Sequence, residues 1–142
     1  MKYIYKIFTI SLLLIVFSCN KNANSQAPTA VKKAFQKKYP GENDPDWHKD
    51  AHGNFESHFK IDCVKYRADF NPNGMWIETE TSIKKKDLQK AIQKRIKIEF
   101  NGKIAEIEKV DHHSKGIFYD VEFKQKGKNK DIEFKANRDI IN

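Results

Sequence analysis

Cysteine is nearly absent: the chain of 142 residues has two, Cys19 and Cys63. A disulfide-stapled scaffold is therefore excluded, and stability must come from packing. Glycine is scarce too, with six in all, which argues against a glycine-rich phosphate cradle. No Gly-x-Ser-x-Gly elbow, His-Glu-x-x-His pair, phosphate loop or dinucleotide fingerprint occurs. The sequence therefore reads as a non-enzyme with no cofactor. No apolar run is long enough to span a bilayer, which takes about 20 residues. The longest is Ile7 to Phe17.

That run has a job of its own. Lys2 and Lys6 precede it and Ser18-Cys19 follows it, the layout of a secretory signal. VFSC, Val16 to Cys19, resembles a bacterial lipobox. The resemblance implies lipidation of the Cys19 sulfur and cleavage before it. Residues 1–18 are thus expected to be a lipoprotein signal peptide, and residues 19–29, polar and without periodicity, a flexible tether. The mature chain is expected to sit in the cell envelope, held to a membrane that faces the periplasm or the exterior.

The formal charge of +8 falls to +6 without Lys2 and Lys6. Basic charge invites a nucleic-acid partner. Secretion removes that partner, and the lysines alternate with Glu and Asp rather than forming a stripe.

The stretch VKKAFQKKY, Val31 to Tyr39, is echoed by LQKAIQKRI, Leu88 to Ile96. Val31, Ala34, Phe35 and Tyr39 form one helical stripe, and Leu88, Ala91, Ile92 and Ile96 form another. Thr29 and Asp87 are the expected N-caps. Pro40-Gly41 and Asn101-Gly102 are the expected stops. After each helix the pattern switches to period two. Phe55, Ser57, Phe59, Ile61 and Cys63 alternate with Glu56, His58, Lys60 and Asp62, one face buried and one wet. Residues 55–77 align on 119–141 without a gap. The expected fold is α+β: two tandem repeats, about 30–83 and 84–142, each one helix followed by a small antiparallel β-meander, packed as one body.

Further motifs carry a family likeness. Trp47 opens the first strand, Phe70, Gly74, Trp76, Glu78 and Glu80 mark a turn and strand, and Leu88 opens the second helix. Together they resemble the beta-lactamase-inhibitor-like, PepSY-like domain of bacterial envelope proteins over residues 30–142. Gln89 stands where a Pro is common and Arg138 where a Gly is common. The resemblance implies a fold more than a function, since its motifs are structural.

Candidate chemistry is thin. His48, His52, His112 and His113 are weak metal candidates, placed on strand and turn instead of a helix. Glu78 and Glu80 share a strand face, but paired charges in water explain them, as they do Asp69 and Glu133. Cys63 falls on the buried face near a strand end. Trp76 and Phe118 sit out of register with the core aromatics. Either they cover strand edges or pack on the partner repeat, or they are displayed among charges as a protein-binding face. The function expected is a lipid-anchored, non-enzymatic binding module for an unknown envelope or secreted protein, such as an inhibitor. The alternative is a periplasmic protein that binds or senses a small ligand or metal.

Overall fold

The computed structural model describes residues 26–100, 103–137 and 139–141. The signal segment, Cys19, most of the tether and the Asn101-Gly102 stop lie outside the described residues.

Two helices, α1 (Thr29–Lys38) and α2 (Lys90–Glu99), accompany seven strands. These are β1 (Asp46–Lys49), β2 (Phe55–Ile61), β3 (Val64–Phe70), β4 (Trp76–Ser82), β5 (Ile104–His112), β6 (Gly116–Phe123) and β7 (Lys130–Lys135). The strands form one sheet in chain order, every neighbouring pair antiparallel. The expected pair of tandem helix-plus-meander units is corrected here. β4 pairs with β5 from Glu78↔His112 to Ser82↔Glu108, so the backbone ladder runs through the point where two units would divide. The physical reason is that an unpaired edge at β4 would leave its N–H and C=O groups open. Pairing joins everything into a single, predominantly β sheet with two helices laid on it.

Both helices lie on the same face of the sheet. From α1, Val31 and Phe35 pack onto Trp47, Phe55, Phe59, Ala68 and Phe70 of the sheet. Leu88, and Ile92 and Ile96 of α2, pack onto Ile107, Tyr119, Val121, Phe123, Ile132 and Phe134 of the sheet. The period-3.6 stripes and period-2 alternation account for both clusters. Between them, on β4 and β5, the helix face turns polar: Thr79, Thr81, Lys109 and Asp111 line a gap with Lys38 and Tyr39. Tyr39 hydrogen-bonds Thr79 there, and burial pushes its hydroxyl pKa up to about 12.

Helix starts differ from expectation. Pro28 occupies the N-cap of α1, and Thr29 is already helical with no side-chain cap. Asp87 closes a 3-10 turn, Lys85–Asp87, by accepting from the Lys84 N–H at 3.3 Å. Its side chain is thereby engaged, Leu88 is extended, and α2 begins at Lys90. Ala27, just before α1, is buried in the cluster beneath that helix.

Two turns are sterically particular. Asp62 (φ 50°) and Cys63 (φ 64°) join β2 to β3 in the left-handed region, the conformation a two-residue hairpin demands. Cys63 is therefore exposed in a tight turn and not on the buried face. Gly74 (φ +89°) ends the β3–β4 turn beneath α1, where a Cβ would come 2.7 Å from the Ala30 carbonyl oxygen.

Candidate functional site

The sheet's second face is covered by neither helix. Register assigns its residues, because cross-strand partners share a face. One row reads His48, Glu56, Asp69, Glu78, His112. The next reads Asp46, His58, Arg67, Glu80, Val110, Phe118, Lys135. A third runs Ser82, Glu108, Asp120, Glu133, and a fourth Glu106, Glu122, Asp131. Eleven of the chain's nineteen acidic residues thus lie on one face of a protein with formal charge +8.

Arg67 stands at the centre of the acidic field. Its guanidinium donates to Glu80 and lies 3.4 Å from Asp69 and 3.6 Å from Glu78. Beyond it opens a groove of about 260 Å³, lined by Arg67, Glu80, Glu106, Glu108, Asp120, Glu122 and Asp131. Burial and mutual repulsion perturb these carboxyls. Burial pushes Asp69 up to about 7 against the pull of Arg67. Burial, then the charge of Asp131, pushes Asp120 up to about 6. Burial raises both Glu80 and Glu108 against the pull of Arg67, and two carboxyls this close titrate as a pair. Among the described residues the buried Oδ1 atoms of Asp69 and Asp120 accept no hydrogen bond, and the Asp69 oxygen is the one that faces Arg67 Nε at 3.4 Å.

This corrects the expectation of wet, paired charges. Asp69 and Glu80 are each only 8 % exposed. Near Asp69 the cation is Arg67; Lys109 and Lys130, which the strand alternation interleaves with the acids, pair on the helix face.

Trp76 and Phe118 do not share a surface. The register shifts between Asp69 and Phe70, so that Phe70 pairs with Trp76 while Asp69 pairs with Glu78. This bulge brings Trp76 onto the helix side, packed on the α1 cluster. Lys38 Nζ lies 3.6 Å from its ring centroid, and its Nε1 donates to Thr79 at 3.0 Å. Phe118 is on the open face but buried, 3 % exposed, with Lys115 Nζ 5.1 Å from its ring centroid.

The histidines are likewise dispersed. His48 and His112 occupy one row, with Glu56, Asp69 and Glu78 between them. His52 lies in the β1–β2 turn and donates its backbone N–H to Asp50 at 2.8 Å. His113 stacks on His112 at 4.7 Å, and its backbone N–H donates to the Ile77 carbonyl. Among the described residues no group of three or more His, Cys, Asp or Glu converges to hold a metal ion.

Sequence reasoning passed over Arg67, Glu106, Glu108, Asp120, Glu122 and Asp131. One signal was available. Glu78/Glu80, Glu106/Glu108, Asp120/Glu122 and Asp131/Glu133 are each two apart, which puts each pair on one strand face. Four strands in succession repeat the device.

Comparison with known proteins adds the family context. A family model described as beta-lactamase-inhibitor-like, PepSY-like matches residues 54–142. A solved DUF2874 family protein from Bacteroides uniformis shares the fold with a TM-score of 0.74 at 18% identity, covering 82% of this chain and 88% of that one. A BLIP-like protein from Bacteroides fragilis gives a TM-score of 0.70 at 18% identity, covering 82% of this chain and 84% of that one. A Bacteroides eggerthii protein, provisionally described as periplasmic, gives 0.74 at 18% identity, covering 82% and 87%. No match is found among curated proteins.

Proposed function

This chain belongs to the beta-lactamase-inhibitor-like, PepSY-like family, and from that premise we propose that it is a non-enzymatic protein-binding module of the bacterial cell envelope. The observation that carries this reading is the open sheet face: a broad polar surface that no helix covers among the described residues, with a groove running from Arg67 to Asp131. An antiparallel sheet can leave one face to water, and here that face concentrates charge around a groove, which sets it apart from the helix-covered side. The partner is a secreted or envelope protein, and inhibition of a secreted enzyme is one form the interaction takes. The signal-like N-terminus and Cys19 support a lipid anchor. One acyl chain holds a protein only marginally, whereas two or more hold it stably.

The anchor and the face are tested separately. Cys19→Ser should move the protein from the membrane fraction to the soluble fraction; unchanged membrane attachment would remove the anchor from the account. For the face, envelope proteins would be captured on the intact chain and on two charge-reversed versions. Glu106→Lys with Glu122→Lys should abolish capture, while Lys33→Glu with Lys37→Glu on α1 should leave it intact. The opposite pattern would move the binding surface to the helices.

A further inference from the structure

We infer that the helix layer is a second docking surface, separate from the open sheet face, and that its occupant is the anionic surface of a lipid bilayer. The surface is read from the helices themselves; the orientation it gives the molecule rests on the proposed anchor at Cys19.

The first observation is that charge is sorted by side. α1 holds four lysines and no acid, and residues 84–99, the 3-10 turn and α2, hold seven Lys and Arg against two acids. Together these two stretches have a net charge that exceeds the +8 of the whole chain. Val31 and Phe35 of α1 and Ile92 and Ile96 of α2 are buried. The helical period then puts Lys33 and Lys37, and Lys90, Lys94 and Lys97, on the outer sides. All five are exposed, and among the described residues none has an ion-paired carboxylate. Like charges four apart on a helix are destabilising, and Lys33/Lys37 and Lys90/Lys94 have that spacing. Ile98, 69 % exposed, stands beside Lys94 and Lys97 on the outer side of α2. A helix that is apolar inward and basic outward suits a membrane surface.

The second observation is where the anchor enters. Cys19 stands ten residues before Thr29, the first residue of α1, a span of at most about 35 Å. A lipid on that sulfur would hold the helix layer near the headgroups. One lipid chain binds a membrane reversibly, and a basic patch supplies the second signal that stable attachment takes. The acidic sheet face is repelled by the same headgroups. The bilayer therefore selects one orientation, with the helices toward the lipid and the open face toward a protein partner. The lysines are spread over two helices, which fits a plane of mobile headgroups.

The test is lysine acetylation of the full chain, purified in detergent and returned to vesicles. The vesicles are phosphatidylcholine alone, or phosphatidylcholine and phosphatidylglycerol in equal parts, and modification is read lysine by lysine by mass spectrometry. A lysine near an anionic membrane is worth roughly fivefold in affinity, so Lys90, Lys94 and Lys97 should react at least about fivefold more slowly on the anionic vesicles. Lys60 and Lys135, on the open face, should react equally on both. Added salt should remove the difference. In the chain with Lys90→Gln, Lys94→Gln and Lys97→Gln, whose folding circular dichroism checks, Lys33 and Lys37 should lose at least half of their own protection. Equal rates on the two kinds of vesicle overturn the inference. Protection that follows protein concentration instead of lipid charge also overturns it, and gives the layer to the acidic face of a second copy. Protection of Lys60 and Lys135 in place of the helix lysines would put lipid on the open face and remove the protein-docking reading as well. Intact mass of the same sample reports the state of Cys19. An unlipidated Cys19 removes the anchor, while slowed acetylation of the helix lysines on anionic vesicles still upholds the surface.

Discussion

Gly74 and Cys63 show opposite sides of the same steric rule. Both sit at positive φ, where a Cβ costs roughly 1–2 kcal/mol. At Gly74 the Cβ would also strike the backbone of α1. Gly74→Ala should therefore lower stability by more than about 2 kcal/mol, read as a reduced denaturation midpoint. Cys63→Gly should raise stability by about 1 kcal/mol, because it removes a left-handed non-glycine residue from a hairpin turn. Glu108→Gln and Asp120→Asn should each stabilise the fold by about 0.5–1 kcal/mol, by breaking a row of like charges. Urea titrations of the three classes of variant would check all of these, and a destabilised Glu108→Gln would argue that the carboxylate is structural.

At the scale of elements, the two helices pack into separate apolar clusters on one sheet. Phe35→Leu under α1 and Ile92→Val under α2 should each cost about 0.5–1.5 kcal/mol. Distant sites with no shared partners add to within about 0.5 kcal/mol, so the double variant should show no coupling. A coupling well above that value would mean that the polar strip at Thr79 and Lys109 transmits packing between the helices. These elements were largely legible in the sequence. The stripes at Val31/Phe35 and Ile92/Ile96 and the alternation from Phe55 onward are periodicities that chemistry enforces locally. Three things were not legible. The bulge at Asp69/Phe70 carries Trp76 to the helix side, and nothing local announces it. Cys63 keeps the apolar alternation although its backbone has already turned. Internal similarity suggested two units, but strand pairing across β4 and β5 is a tertiary choice. For the same reason the four acidic pairs could be seen singly while the field they build could not, because register alone brings them together.

The molecule as a whole is basic, yet its open face is acidic and its carboxyls are strained. Asp69 and Asp120 have folded pKa values of about 7 and about 6, above their ordinary 3.8, and burial is the main cause. A carboxyl raised on folding holds its proton more tightly in the native state. Its contribution to stability is complete below about pH 3.8 and is lost as pH rises through 6 to 7. The melting temperature should accordingly be lower at pH 8 than at pH 5. Asp120→Asn should flatten part of that slope, and a slope of opposite sign would show that these groups are not buried in solution.

The measurement that bears most directly on the central claim is photocrosslinking in living cells with the N-terminus intact. A photoreactive residue would replace His58 or Lys135 on the open face, or Lys33 on the outer side of α1, with adducts identified by mass spectrometry. The account predicts a common protein adduct from His58 and Lys135 and none from Lys33. Adducts from Lys33 alone, with the open face silent, would contradict it.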